Sequence, residues 1–344
     1  MKGVKNSMGH TAVYIAQRHN PWFNLATETW LIEKSELKDK HILYLWRNSP
    51  CIVIGRYQNP WVECNLQAME RDGVLLARRL SGGGAVYQDL GNTCFTIISP
   101  REQYDKGRNF DIVRKALAAC GVESELSGRN DILVDGRKVS GSAFQLTSTR
   151  GCHHGTLLIE ADLSHIGEYL TPDKQKLEAK GIRSVASRVA NLQDLQPAFN
   201  HERFQEAVID AFRREYGEES PIQGLDTALL EREPLLMDMY GKLSADSWRF
   251  GTTPQFSHVC SERLPWGRLT FHLDVEKGVV AQAKVFSDAL STACVEILED
   301  LLPGLPYTPQ AIRRRVADVA GGLPDDLAAL VEEGSEVLLR DMEG

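Results

Sequence analysis

The chain lacks a long hydrophobic run. Its continuous apolar stretches, such as residues 42–46 and 51–54, fall far short of the roughly 18 residues needed to cross a bilayer. It also lacks a basic excess. Lys and Arg number 39 against 47 Asp and Glu, a net charge of −8, which argues against holding nucleic acid on a broad basic face. Seven cysteines, at 51, 64, 94, 120, 152, 260 and 294, form no C-x-x-C pair and show no Cys/His spacing suited to zinc. An odd, scattered set fits a reducing compartment rather than a disulfide framework. The first 20 residues are basic but have no apolar core of a secretory signal. The expected location is the cytoplasm, or the mitochondrion if the source is eukaryotic. No internal repeat is visible.

What is present is an ordinary globular composition, 42% hydrophobic and 25% charged, over 344 residues. That length predicts about two domains. Phe23, Ala26, Thr27, Trp30 and Leu31 share one helical face within residues 22–35. The runs 42–46 and 51–54, separated by Asn48-Ser49-Pro50, read as buried strands around a turn. A short helix capped by Asn65 and stopped at Gly73 leads to a strand through 74–80. Residues 93–99 read as a strand, Phe110 to Cys120 as a helix, and 155–159 as a further strand. Asp135-Gly136 supplies the strongest hairpin signal, and simple two-residue closure pairs Val134 with Arg137, Leu133 with Lys138, Ile132 with Val139 and Asp131 with Ser140. Phe204 to Phe212 form an amphipathic helix ending near Gly217. The pattern weakens over 218–257; beyond it come strands around Lys277-Gly278 and a helix from Leu290 to Leu301. Strands and helices mix without strict βαβ alternation, so the expected class is α+β.

Two stretches carry chemistry. Residues 71–150 hold 12 basic against 9 acidic residues, a local positive balance within an acidic chain. Inside it stands Arg78-Arg79-Leu80-Ser81-Gly82-Gly83-Gly84-Ala85-Val86-Tyr87. Three successive glycines cost roughly 0.5–1 kcal/mol each in regular structure. They are kept where the backbone turns unusually or approaches a ligand closely, and such a loop can aim N–H groups at an anion. The run matches neither the P-loop nor the dinucleotide fingerprint. The hairpin is the second stretch: strand alternation puts Asp131, Leu133, Lys138 and Ser140 on one face, either as a solvated ion pair or as an ammonium poised against phosphate and carboxylate oxygens with Asp131 turned towards a metal ion.

These residues carry a resemblance. The glycine run with Asp89-Leu90-Gly91-Asn92 resembles the signature of lipoate–protein ligase A, in the biotin/lipoate ligase superfamily. So do Asn20-Pro21-Trp22-Phe23-Asn24-Leu25-Ala26, Gly55-Arg56 with Asn59-Pro60-Trp61, Ser127-Gly128-Arg129-Asn130-Asp131, Arg137-Lys138-Val139-Ser140-Gly141-Ser142-Ala143 and His153-His154-Gly155-Thr156-Leu157-Leu158. Weaker similarity, including Lys180-Gly181-Ile182, continues through the C-terminal part. The resemblance implies a catalytic fold of mixed β-sheets flanked by helices over residues 1–249, a linker at 250–257 and a small α/β accessory domain at 258–344. It also implies that lipoate and ATP give lipoyl-AMP and pyrophosphate, with Mg2+, and that the lipoyl group passes to a lysine of apo-lipoyl domains: E2 subunits of 2-oxoacid dehydrogenases and the glycine cleavage H protein. Lys138 would be catalytic. Arg78, Ser81, Gly83 and Lys138 would contact lipoate or lipoyl-AMP; Arg79, Gly84, Ala85, Val86, Tyr87 and Lys138 would contact the nucleotide. Asp131 as the magnesium ligand comes from the hairpin geometry. The enzyme would be a monomer, with neither nucleic acid nor membrane as partner.

Gln88 and Gln145 depart from the family, which often has His and Arg there; each removes a potential charge. The closest rival reading is a transferase of the same fold using a preformed acyl-AMP or an acyl-carrier donor, with Cys152 beside His153 as a candidate thiolate. A non-catalytic module that binds acyl-carrier domains would leave the glycine loop and Lys138 without a common purpose. His10, His19, His41, His165, His201, His258 and His272 show no ligand spacing and read as surface or core residues.

Overall fold

Residues 42–46 are apolar without alternation because the strand they form is covered on both faces. A computed structural model describes residues 11–128, 130–164, 166–170, 189–217, 221–250, 258–276 and 278–343. The strands are β1 (Thr11–Ala16), β2 (His41–Trp46), β3 (Cys51–Ile54), β4 (Leu75–Arg78), β5 (Val86–Gln88), β6 (Asn92–Pro100), β7 (Glu125–Ser127), β8 (Asp131–Val134), β9 (Arg137–Leu146), β10 (Arg150–Leu158), β11 (Ile222–Leu225), β12 (His258–Leu264), β13 (Gly267–Glu276) and β14 (Val279–Ser287). The longer helices are α1 (Pro21–Glu33), α2 (Lys106–Ala119), α3 (His201–Tyr216), α4 (Pro234–Ser244), α5 (Thr292–Asp300), α6 (Pro309–Ala320) and α7 (Asp325–Glu343). The described residues fall into two compact units, one drawn from 1–53, 64–77 and 86–249, the other from 54–63, 78–85 and 250–344.

The first unit is built on an eight-stranded mixed sheet in the order β11-β1-β2-β6-β10-β9-β8-β7. β1 runs parallel to both β11 and β2; the pairings from β2 through to β7 are antiparallel. Leu43, Leu45, Phe95 and Ile97 bury one face against α2 and α3, while Ile42, Tyr44, Trp46 and Cys94 bury the other against α1 and α4. α1 starts at Asn20, whose side chain accepts from the Phe23 N–H, with Pro21 in the first turn. The weakly patterned stretch after 217 nevertheless supplies the edge strand β11 and α4, whose Leu236 and Leu243 are buried. Arg150 is fully buried and donates to the Leu37 and Lys40 carbonyls at 2.5 and 2.6 Å. Burial pushes its pKa down to about 10.

The second unit carries the antiparallel sheet β12-β13-β14 under α5, α6 and α7, with Phe271, Val285, Leu298 and Leu338 in its core. No helix among the described residues is long and apolar enough to cross a membrane. The α+β class expected from the sequence holds. Lys180-Gly181-Ile182 and residues 251–257 lie outside the described residues.

Candidate functional site

The glycine run lies in the loop between β4 and β5, strands of a small sheet ordered β4-β3-β5. The strand expected over 74–80 ends at Arg78, where the chain passes into the glycine loop. Arg78, buried, donates to the carbonyls of Gly55, Arg56 and Gln58 at 3.3, 2.8 and 2.7 Å. Arg79 donates to Ser81 Oγ and to the carbonyls of Gly82 and Gly84. Both guanidiniums thus tie up carbonyl oxygens of the loop and its neighbours, which turns the balance of the loop's polarity towards its N–H groups. Gly83, at φ 98°, is in backbone territory that favours glycine, and its N–H goes to the Ala289 carbonyl at 2.8 Å. A Cβ on Gly82 would lie 2.2 Å from that same carbonyl oxygen. Ser81 is buried, Gly84, Ala85 and Val86 are half-buried, and Tyr87 stacks on Tyr169 with ring centroids 6.0 Å apart.

The hairpin closes at Asp135 (φ 50°) and Gly136 (φ 72°), as its sequence requires. Its register differs from simple closure. Val134 faces Arg137 and Leu133 faces Lys138, but a β-bulge then sets Ile132 opposite Ser140 and Asp131 opposite Gly141. The expected pairings of Ile132 with Val139 and Asp131 with Ser140 are therefore incorrect. The extra residue on β9 sets Val139 and Ser140 together against Ile132, all three buried, so that Gly141 rather than Ser140 comes opposite Asp131. Ser140 now belongs to the row with Ile132 and Leu157 rather than with Asp131. Lys138 and Asp131 still meet: Nζ lies 2.8 Å from Oδ1, the lysine side chain 23% and the aspartate 8% exposed. The ammonium is laid over Gly141, where a Cβ would stand 2.8 Å from Nζ.

The ladders continue this face across the sheet. Gly141 is opposite Thr156, Ala143 opposite His154, and Gln145 opposite Cys152. His154 Nδ1 sits 2.8 Å from both carboxylate oxygens of Glu28, and Thr96 Oγ1 donates to Glu28 at 2.7 Å while accepting from the Trp46 indole at 3.0 Å. This ionisable pair, 9% and 6% exposed, is buried beside Thr96 and the apolar side chains of α1 and β2. Sequence reasoning missed Glu28; the signal was a carboxylate amid the apolar residues of α1, nearly all of which is buried.

Cys152 and His153, adjacent in sequence, project from opposite faces of β10. Cys152 lies near Glu28 and His154, and burial pushes its thiol well up, the reverse of what a thiolate nucleophile needs. His153 is among Phe95, Phe110 and Phe144, with Nε2 2.9 Å from Ser142 Oγ. Gln88 completes a buried chain in which Tyr44 donates to Asn24, Asn24 to Asn48, and Asn48 to Gln88 at 2.8 Å. An amide there is a hydrogen-bond acceptor fixed by its neighbours. Gln145 is half-buried on the Cys152 face.

A mixed α+β sheet bearing a lysine–aspartate hairpin, together with a small β–α unit, is the class of protein that the fold defines. Residues 20–213 match the lipoyl protein ligase A/B catalytic domain, and residues 253–326 match the bacterial lipoate protein ligase C-terminus. The chain is 46% identical over 330 residues to lipoate-protein ligase A of Psychrobacter cryohalolentis, covering 94% of this chain and 97% of that protein. LipL1 of P. falciparum, solved in complex with lipoate, superposes with a TM-score of 0.85 at 31% identity over 96% of this chain and 99% of that one. A lipoate-protein ligase A bound with ATP shares the fold at TM-score 0.58 and 24% identity, over 71% of this chain and 98% of that one. The chain belongs to the lipoate–protein ligase family.

Proposed function

We propose that this chain is an ATP- and Mg2+-dependent, AMP-forming lipoate–protein ligase. Its carrying observation is the Lys138 ammonium held over Gly141 on the sheet face that also presents His154, which meets Glu28 of α1. Attack of the lipoate carboxylate on the α-phosphate of ATP forms the acyl–phosphate bond and expels pyrophosphate. Two anions must approach, so a fixed cation placed beforehand lowers the barrier without reorganisation. Lys138 supplies it, and Asp131 holds the ammonium in position. Gly141, by lacking a side chain, leaves the room in which the Lys138 ammonium lies beside Asp131.

Arg78, Ser81, Gly83 and Lys138 are assigned to lipoate and lipoyl-AMP, and Arg79, Gly84, Ala85, Val86, Tyr87 and Lys138 to the nucleotide. A single carboxylate suits magnesium, which is commonly bound by one or two carboxylates plus substrate phosphates. Asp131 fits that mode, and the ion would supply charge neutralisation on the pyrophosphate oxygens. In the second half-reaction the acceptor lysine amine attacks the activated carbonyl and AMP leaves; proximity provides much of the rate and no enzyme acyl intermediate is needed. The acceptors are apo-lipoyl domains of E2 subunits and the H protein. The working form is a cytoplasmic monomer of a catalytic domain (1–249), a linker (250–257) and an accessory domain (258–344).

The test is pyrophosphate–ATP exchange with lipoate, octanoate and biotin offered in turn. Exchange with lipoate, abolished in Lys138→Ala at unchanged circular dichroism, is expected. Wild-type exchange in that variant would overturn the assignment. ATP-independent acyl transfer that is lost in Cys152→Ser would instead establish the transferase reading.

A further inference from the structure

The C-terminal unit holds a second collection of ligand-type side chains that the proposed reaction does not use. His258 and Cys260 are two residues apart on β12, so they share a face. α7 packs against this sheet and brings Asp341, in its last turn, to that face. An imidazole nitrogen of His258, the sulfur of Cys260 and a carboxylate oxygen of Asp341 all lie within 4.8 Å of one another. His258 Nε2 is 2.7 Å from Asp341 Oδ2. Cys260 is 5% exposed, while the His258 and Asp341 side chains are 37% and 33% exposed, so an ion has a way in and the sulfur is sheltered from oxidants.

Tyr307 supplies an independent observation. Its ring packs edge-on to His258 at 5.7 Å, and its hydroxyl is buried without a hydrogen-bond partner. That ring contact packs Tyr307 against a member of the cluster. A buried O–H left unsatisfied is costly, and a water held by an ion would give it an acceptor.

We infer that His258, Cys260 and Asp341 form a three-ligand site for a borderline-soft divalent cation, Zn2+ above all, with a water in the fourth position facing Tyr307. Thiolate, imidazole and carboxylate together are a zinc donor set. Bonds of about 2.0–2.3 Å in a tetrahedron need donor atoms roughly 3.3–3.8 Å apart, a closure that side-chain rotation supplies. Binding replaces the direct histidine–aspartate hydrogen bond with two bonds to the ion and releases the Cys260 proton to solvent. The site clips β12 to the end of α7. His258-x-Cys260 alone gave no zinc spacing, because the third ligand comes from more than 80 residues downstream.

The full chain, stripped with chelator, is titrated with ZnCl2 and, as a spectroscopic probe, CoCl2. One equivalent of metal, a near-ultraviolet thiolate-to-cobalt band, release of a proton into weak buffer and a raised melting midpoint are expected. Cys260→Ser and His258→Asn each weaken binding by about 100-fold, while Cys152→Ser, which disrupts the buried Glu28–Cys152–His154 group, leaves it unchanged. Absence of uptake at high micromolar metal, uptake that persists in the Cys260→Ser/His258→Asn double variant, or loss in Cys152→Ser would overturn the site.

Discussion

Lys138 and Gly141 are linked by space: a methyl group on Gly141 would meet Nζ at 2.8 Å and Cε at 2.9 Å. The ammonium position therefore depends on a missing side chain three residues away. Gly141→Ala should displace Lys138 from Asp131 and lower pyrophosphate exchange by about tenfold or more, with an unchanged circular dichroism spectrum. Because a flexible lysine gives way rather than backbone, unfolding midpoints should shift little. Full exchange activity would show that the ammonium position is not critical.

Gly82 poses the opposite case, since the backbone oxygen of Ala289 lies 2.2 Å from the point a methyl group would occupy. Nothing there can rotate aside. Gly82→Ala should destabilise by about 1–3 kcal/mol and raise amide exchange at Gly83, whose N–H is bonded to Ala289. Unaltered protection of that amide would contradict the contact.

The Glu28–His154 pair is 2.8 Å apart and almost fully buried. Removing one member takes the pair's hydrogen bonds from a buried polar group, so Glu28→Ala should cost about 3–5 kcal/mol in urea unfolding. A double replacement of both by apolar residues of similar volume should recover much of that loss.

His153 is kept neutral, its pKa held well below the ordinary histidine range first by burial and then by His154 and Lys106. The unfolded chain protonates it near pH 6.5 while the folded protein does not. Below about pH 6.5 the unfolded state therefore binds more protons, and stability falls as pH falls, by up to about 1.4 kcal/mol per pH unit for this one group. His153→Gln, which can still reach Ser142, should flatten the dependence between about pH 6.5 and 5. An unchanged slope would assign the effect to other groups.

All seven cysteines are free and buried. Burial pushes the thiols of Cys51, Cys94 and Cys152 up, so a disulfide reagent at about pH 8 should label the native metal-free chain slowly, limited by opening of the fold. Stoichiometric labelling within seconds would refute their burial.

Where one element decides its own conformation, the sequence was readable. Asp135-Gly136 turns as expected, the helical face expected within residues 22–35 lies on α1, and residues 42–46 are a strand buried on both faces. What escaped depends on distant partners. The bulge after Lys138, which sets Val139 and Ser140 together against Ile132, is recorded by no local spacing. Cys152 and His153 looked like a pair because they are neighbours in the chain, yet strand alternation separates them, and the true partner of His154 is Glu28, 126 residues earlier. The arginines of the glycine loop were legible as fixed charge, but not that they donate to loop carbonyls.

The bond from Gly83 to Ala289, with Gly82 pressed against the same oxygen, means that this short loop is completed by residues some 200 positions later. Hybrids made by grafting the C-terminal half of a homologue onto this N-terminal half would inherit a mismatched seam. Such exchanges should succeed only when residues 78–85 and 54–63 travel with the tail, so the natural unit of recombination here is discontinuous in the gene.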